Sequence, residues 1–273
     1  MNDSIISDAR TLLFVPGDKP ERFDKAVRSG ADLTVLDLED AVGSADKAAA
    51  RVNTVRYSSG GTHVAIRIND ASTPHFRNDM DAVMALECTV LLAKSTAESV
   101  TTLTKALPTH RVIALIETAR GVLDAGAIAE TAGIARLALG AIDLAAELGV
   151  DPDRSPLIDR ARSDLAYASA AAGLPGPIDG VTPSIGDDAA LDHDIARAQE
   201  FGFTGKLCIH PRQIEATHSA MAPTDAEVAW ARRILVEAAD PSNGSVFTVD
   251  GSMVDKPVMD RARAIATRAG GTR

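Results

Sequence analysis

The chain has 273 residues, of which 45% are hydrophobic and only 3% aromatic, and carries a formal net charge of −10. That is enough apolar material for one large α/β domain or two small ones, and the acidic balance argues against nucleic acid as a partner, since phosphate neutralisation needs an excess of Lys and Arg. No run approaches the ~20 apolar residues that span a bilayer, and Met1 to Arg10 is polar and carries two Asp, unlike a signal peptide; a cytoplasmic protein without membrane contact is expected.

Taken in chain order, short apolar runs recur at Leu12–Val15, Leu33–Leu38, Val64–Ile68 and Val90–Leu92, then at Val112–Ile116, Leu137–Leu139, Pro177–Val181 and Lys206–Ile209. Between them lie helix formers at helical spacing, among them Glu21–Ser29, Ala45–Arg56, Ser95–Leu107, Arg120–Glu130 and Asp187–Phe201. This alternation predicts βαβ units on a parallel sheet. Eight repeats fit a closed (β/α)₈ barrel, the TIM barrel of the α/β class, better than an open sheet. Pro177 and Gly180 dilute the seventh run, which is the weakest strand. The barrel is expected to occupy residues 1–222.

A tail follows. Thr224-Asp225-Ala226-Glu227 has the form of a capping box opening a helix to about Ala239, and Asp240-Pro241-Ser242-Asn243-Gly244 stops it. Val246–Val249 and Ser252–Val254 flank Asp250-Gly251, the pattern of a hairpin closed by a type I′ turn. A last amphipathic helix is predicted from about Lys256 to Arg268. A barrel does not need this segment to close, so residues 223–273 are expected to form a lid, a subunit contact, or both.

Charged residues gather where the predicted strands end, which in a parallel barrel is a single face. The runs terminate in Phe14-Val15-Pro16-Gly17, Asp37-Leu38-Glu39-Asp40, Arg67-Ile68-Asn69, Ala93-Lys94, Glu117, Gly140 with Asp143, Asp179, and Ile209-His210-Pro211. Glu117 and Asp143 hold equivalent places one strand apart. With no Cys or His nearby they form a hard, all-oxygen set, which suits Mg²⁺ better than Zn²⁺. Each also has an ordinary role open to it, Glu117 as cap of the helix starting near Thr118 and Asp143 as a first-turn acid. Arg67, between Ile66 and Ile68, is either an ion-pair partner of Glu39 or Asp40 or a guanidinium presented to an anionic substrate group. The same two roles are open to Lys94. His210 reads as an orienting residue ahead of a Pro-started helix. Cys88 and Cys208 stand in no metal-ligand spacing and read as reduced, structural thiols.

The ordered set of motifs resembles a known family. Leu13-Phe14-Val15-Pro16-Gly17, Asp37-Leu38-Glu39-Asp40-Ala41-Val42, Arg67-Ile68-Asn69, Ile116-Glu117-Thr118-Ala119-Arg120-Gly121 and Gly140-Ala141-Ile142-Asp143-Leu144 are similar to the citrate lyase beta-subunit-like CoA-ester lyases of the HpcH/HpaI aldolase/citrate lyase superfamily. Gly205-Lys206-Leu207-Cys208-Ile209-His210-Pro211-Arg212-Gln213-Ile214 and Gly251-Ser252-Met253-Val254-Asp255 continue the match through the chain. The resemblance implies a Mg²⁺-dependent carbon–carbon lyase that acts on a 3-hydroxyacyl-CoA such as citramalyl-CoA or malyl-CoA and gives a 2-keto acid and an acyl-CoA. It also implies a homotrimer or hexamer in which the C-terminal lid reaches a neighbour's site.

Carried over by motif, Glu117 and Asp143 would be the metal ligands, and Arg67 would bind the carbonyl or carboxylate region of the substrate and act in catalysis. Phe14 and Lys25 would contact the CoA portion, and Asp255 would be the lid acid/base. Glu117 and Cys208 count with the substrate-binding positions, while Glu39, Asp40 and Lys94 stand behind them. Two places depart from the family pattern: Ile142 where Glu usually precedes the metal Asp, and Ala93 where Pro usually precedes the lysine. Other readings compatible with the sequence are a pyruvate-type aldolase on free hydroxy-keto acids, a non-catalytic lyase subunit that binds an acyl-carrier protein, and a CoA-ester-binding protein without turnover.

Overall fold

The computed structural model describes residues 3–240 and 243–270. Pro241 and Ser242, part of the predicted helix stop, lie outside the described residues. The chain divides into two compact units, Met1–Ala220 and Met221–Arg273.

In the first unit eight parallel strands close a barrel in sequence order: β1 (Thr11–Pro16), β2 (Leu33–Asp37), β3 (Ala65–Ile68), β4 (Thr89–Leu92), β5 (Arg111–Ile116), β6 (Ile134–Leu139), β7 (Ile178–Asp179) and β8 (Gly205–Cys208). Strand β8 returns to pair with β1. The helices in chain order are α1 (Asp3–Asp8), α2 (Phe23–Val27), α3 (Lys47–Ser58), α4 (His75–Val83) and α5 (Ala97–Ala106). Then follow α6 (Ala119–Ala129), α7 (Ala141–Leu148), α8 (Pro156–Ala171), α9 (Asp188–Glu200) and α10 (Arg212–Met221). The expected (β/α)₈ barrel is therefore present. Helix α8, unnamed in the sequence reading, carries its own start signal: the Ser155 side chain accepts from Leu157 N–H, and Pro156 opens the first turn.

Every strand sends apolar side chains into one interior cluster, including Leu12, Val35, Ala65, Leu91, Ile113, Ala138, Ile178 and Leu207. Below this layer the barrel is plugged by Arg136. Its side chain is fully buried and donates to the carbonyls of Ile6, Ala9 and Gly176 and to Thr204 Oγ1, at 2.6–3.1 Å. Burial pushes its pKa down to about 10 against the pull of Asp8 and Asp32, and its direct hydrogen-bond partners are carbonyls and a hydroxyl rather than a carboxylate.

Strand β7 is only two residues long, as Pro177 and Gly180 foreshadow. An outward-facing network reinforces it: Lys206 Nζ donates to Gly180 O at 2.8 Å, and Arg162 Nε of α8 donates to Asp179 Oδ1 at 3.1 Å.

The second unit contains α11 (Asp225–Ala238), β9 (Phe247–Val249), β10 (Ser252–Val254) and α12 (Lys256–Gly270). Helix α11 opens with the complete capping box, Thr224 accepting from Glu227 N–H while the Glu227 carboxylate accepts from Thr224 N–H. Strands β9 and β10 pair antiparallel around Asp250 and Gly251, whose φ values of 50° and 77° are those of the type I′ turn. Ala231, Ile234, Val254, Ala262 and Ile265 form this unit's own small core.

Candidate active site

Phe14, Asp37, Arg67 and Glu117 come from, or directly follow, four different strands and point into the barrel. Strand alternation dictates this, because Leu12, Val35, Ala65 and Leu115, two residues earlier on the same strands, belong to the interior cluster. The same parity turns their neighbours outward.

The Arg67 guanidinium is gripped from two sides. Its Nε donates to Asp37 Oδ1 at 2.7 Å and its Nη2 donates to Asp37 Oδ2 at 2.6 Å, while Nη1 lies 3.2 Å from Glu39 Oε2. It also lies over the Phe14 ring, 4.8 Å from the centroid. The two hydrogen bonds to Asp37 use two of the five N–H donors of a guanidinium, so both terminal nitrogens keep N–H groups beyond them. Burial opposes the charge, but Asp37 and Glu39 outweigh it and raise the pKa, so Arg67 stays a cation. Glu39 is one of the two ion-pair partners expected from sequence. Asp40 is not: it is exposed and lies 3.7 Å from Lys94 Nζ.

Glu117 follows the end of β5, with 2% of its surface exposed. Burial pushes its pKa up to about 8; Glu39 and Asp143 add to this, and the Lys94 N–H and Arg67 oppose it. One oxygen, Oε1, accepts from the Lys94 backbone N–H at 2.8 Å. The other faces Gly140, where a Cβ would sit 2.5 Å from Oε2 and overlap the Glu117 Cβ. Glu117 is not the cap of α6, because that position belongs to Thr118, whose hydroxyl accepts from Gly121 N–H. Asp143 lies half-buried in the first turn of α7.

Lys94 is one of two described non-glycine residues at positive φ, here 45°. Its Nζ donates to Glu39 Oε1 at 2.6 Å. Glu39 is itself buried, and that burial raises its pKa against the pull of Arg67 and Lys94. The loop carrying Glu39 is pinned from behind by Lys47, whose Nζ donates to Leu38 O and Glu39 O at 2.8 and 2.9 Å.

Among the described residues no three His, Cys, Asp or Glu side chains converge as a metal cage. Two carboxylates are nonetheless the normal protein share of a Mg²⁺ site, whose other positions go to water and substrate. The oxygen-only donors and a buried carboxylate without a full countercharge fit such a cation, and nothing soft is present to favour Zn²⁺.

Cys208 requires a correction. Leu207 faces the interior, so Cys208 faces outward, fully buried, with Sγ 4.0 Å from Thr217 Oγ1 of α10. Burial pushes its thiol up to about 11, and its hydroxyl neighbour comes from a helix outside the barrel interior, whereas a place among the substrate-binding residues was expected of it. Lys25 is exposed on α2, free of the barrel interior. In the second unit Asp255 Oδ1 accepts from Val258 N–H at 3.3 Å, so this carboxylate stands at the start of α12. His210 Nδ1 accepts from Arg212 N–H at 3.2 Å, an orienting contact as expected.

Asp37, Lys47 and Gly140 carry weight in the site without being singled out by the sequence. The signal for Asp37 was available: it is aligned with Arg67 in parallel register and shares its parity, so the two must face each other.

The HpcH/HpaI aldolase/citrate lyase pattern matches residues 10–211. The chain belongs to this family. A citrate lyase subunit beta-like protein of Mycobacterium tuberculosis is 38% identical over 266 residues, 94% of each chain. A (3S)-malyl-CoA thioesterase of Cereibacter sphaeroides is 31% identical over 272 residues, 95% of this chain and 94% of that one. Among solved structures, the CitE protein of M. tuberculosis in complex with magnesium, acetoacetate and coenzyme A superposes with a TM-score of 0.81 at 35% identity, covering 97% of this chain and 99% of the other. Family membership thus agrees with the barrel and with lyase-type chemistry. No helix among the described residues is long and apolar enough to cross a membrane.

Proposed function

We propose that the protein is a Mg²⁺-dependent carbon–carbon lyase that cleaves or forms a short 3-hydroxyacyl-CoA such as citramalyl-CoA or malyl-CoA. The observation that carries this reading is the pair of carboxylates, Glu117 and Asp143, beside a partly buried cationic Arg67 at the carboxyl ends of the strands. The magnesium and coenzyme A bound by the M. tuberculosis relative support it.

When bound, Mg²⁺ would chelate the hydroxy-acid end of the substrate and draw charge from the carbonyl that forms there. The chain's residues supply the rest. Glu117 and Asp143 offer oxygen ligands from two adjacent strand ends. A base takes the 3-hydroxyl proton, the carbon–carbon bond breaks as the keto acid's C=O forms, and the electron pair moves onto the thioester oxygen. Arg67 keeps N–H groups on its terminal nitrogens for that oxyanion, a type of contact worth about 3–4 kcal/mol in transition-state stabilisation. Phe14 and Asp37 fix the guanidinium in place. Proton return to the acyl-CoA carbon falls to Asp255, presented by the C-terminal unit as a lid across a homotrimer or hexamer, with Lys25 toward the CoA portion.

Hydrolysis of the thioester is the second reading, favoured by the likeness to a malyl-CoA thioesterase. Glu117→Gln and Asp143→Asn should each abolish Mg²⁺-dependent turnover while the far-ultraviolet circular dichroism stays unchanged. Near-parent activity with unchanged Mg²⁺ affinity in either variant would overturn the metal assignment.

A further inference from the structure

Lys94 is anomalous in two ways at once. It is a side chain with Cβ held at φ 45°, a region that glycine and asparagine enter easily and other residues rarely. It also touches both halves of the site with different atoms: its backbone N–H donates to Glu117 Oε1 at 2.8 Å, and its Nζ donates to Glu39 Oε1 at 2.6 Å. Strained backbone persists where surrounding contacts over-determine it, and they do so here. On one side the ammonium is tied to Glu39, which also pairs with Arg67. On the other, Ser95 N–H donates to Leu115 O at 2.9 Å and Ser95 Oγ to Leu92 O at 2.9 Å, clamping the loop to β4 and β5. Gly121 closes it from above, since a Cβ there would lie 2.6 Å from Ser95 O.

We propose that the left-handed conformation of Lys94 is a device that aims Glu117: it turns one backbone N–H onto Oε1, while Gly140 leaves room for the other oxygen, so the carboxylate is presented in a single orientation. Lys94 is thereby a positioning residue that acts through its main chain, and its ammonium holds the turn by gripping Glu39. A relaxed loop would point the N–H elsewhere and leave a buried carboxylate free to rotate. The inference rests on the reading of Glu117 as a Mg²⁺ ligand.

Main chain and side chain can be separated by substitution. Lys94→Asn, Lys94→Ala and Lys94→Val remove the same charge but differ in tolerance of positive φ, falling in that order. Calorimetric Mg²⁺ titration of the folded variants, without substrate, should give affinities in the same order, with Val at least tenfold weaker than Asn. Should the Val variant fail to fold, the Asn and Ala variants still carry the test, with Ala expected at least threefold weaker. Glu117→Gln is titrated alongside. Equal affinities across the Lys94 series, with Mg²⁺ binding lost in Glu117→Gln, would overturn the aiming role and spare the metal site. Parent-like binding in Glu117→Gln would overturn both.

Discussion

Asp37 and Arg67 stand opposite one another in the register of β2 and β3, and the carboxylate grips the guanidinium through two hydrogen bonds of 2.7 and 2.6 Å. Both face the barrel interior, so the fork is fixed by strand geometry before any substrate arrives. An ammonium at this position would keep the charge but could not reproduce the bidentate fit. Arg67→Lys should therefore lower kcat at least tenfold, about 1.4 kcal/mol or more in the barrier, with KM changed less. Steady-state kinetics beside a thermal melt check this. A drop in melting temperature at unchanged kcat would make Arg67 a purely structural ion-pair partner.

Gly140 has φ −101° and ψ 76°, values that a residue with Cβ can adopt. Its glycine is required by space alone, because Glu117 fills the volume a side chain would need. Gly140→Ala should displace the Glu117 carboxylate, weaken Mg²⁺ binding tenfold or more, and destabilise the fold by about 1–3 kcal/mol, as overpacking does. Calorimetric titration and urea unfolding provide the two readings.

Arg136 tests the opposite end of the barrel. Arg136→Met would empty a site in which the carbonyls of Ile6, Ala9 and Gly176 each accept from the guanidinium. The buried carbonyls of Ile6 and Ala9 would lose this donor, at about 1–3 kcal/mol each if neither finds water, whereas Gly176 O keeps the Thr204 hydroxyl at 3.1 Å. Denaturant unfolding should show a loss of about 2 kcal/mol or more from the two orphaned carbonyls. Turnover per folded molecule should hardly change.

The barrel was legible because apolar runs and helical stretches alternate along the whole first unit, and the tail hairpin because Asp250-Gly251 is a strong local turn signal. Strand edges were less so. Strand β6 begins at Ile134 rather than Leu137, since a charged Arg136 looks like a boundary until one sees that it plugs the barrel with carbonyl partners. The candidate site divides along similar lines. Glu117, Asp143 and Arg67 stand out as charges at strand ends, and Glu39 and Lys94 beside them. Asp37 was hidden because it ends β2 beside two further carboxylates, Glu39 and Asp40, and only strand parity pairs it with Arg67. Cys208 was misplaced for the same reason, a one-residue matter of parity. The roles of Gly140 and the Lys94 backbone depend on close approach between loops from different strands, which no local pattern encodes.

The most direct test is product analysis. Purified protein incubated with Mg²⁺ and citramalyl-CoA or malyl-CoA should release a 2-keto acid and an acyl-CoA in equal amounts, with no free thiol. Chelation by EDTA should stop the release, and restored Mg²⁺ should return it. Free CoA thiol appearing without keto acid would make the protein a hydrolase, and the absence of keto acid from every hydroxyacyl-CoA offered would contradict the lyase reading itself.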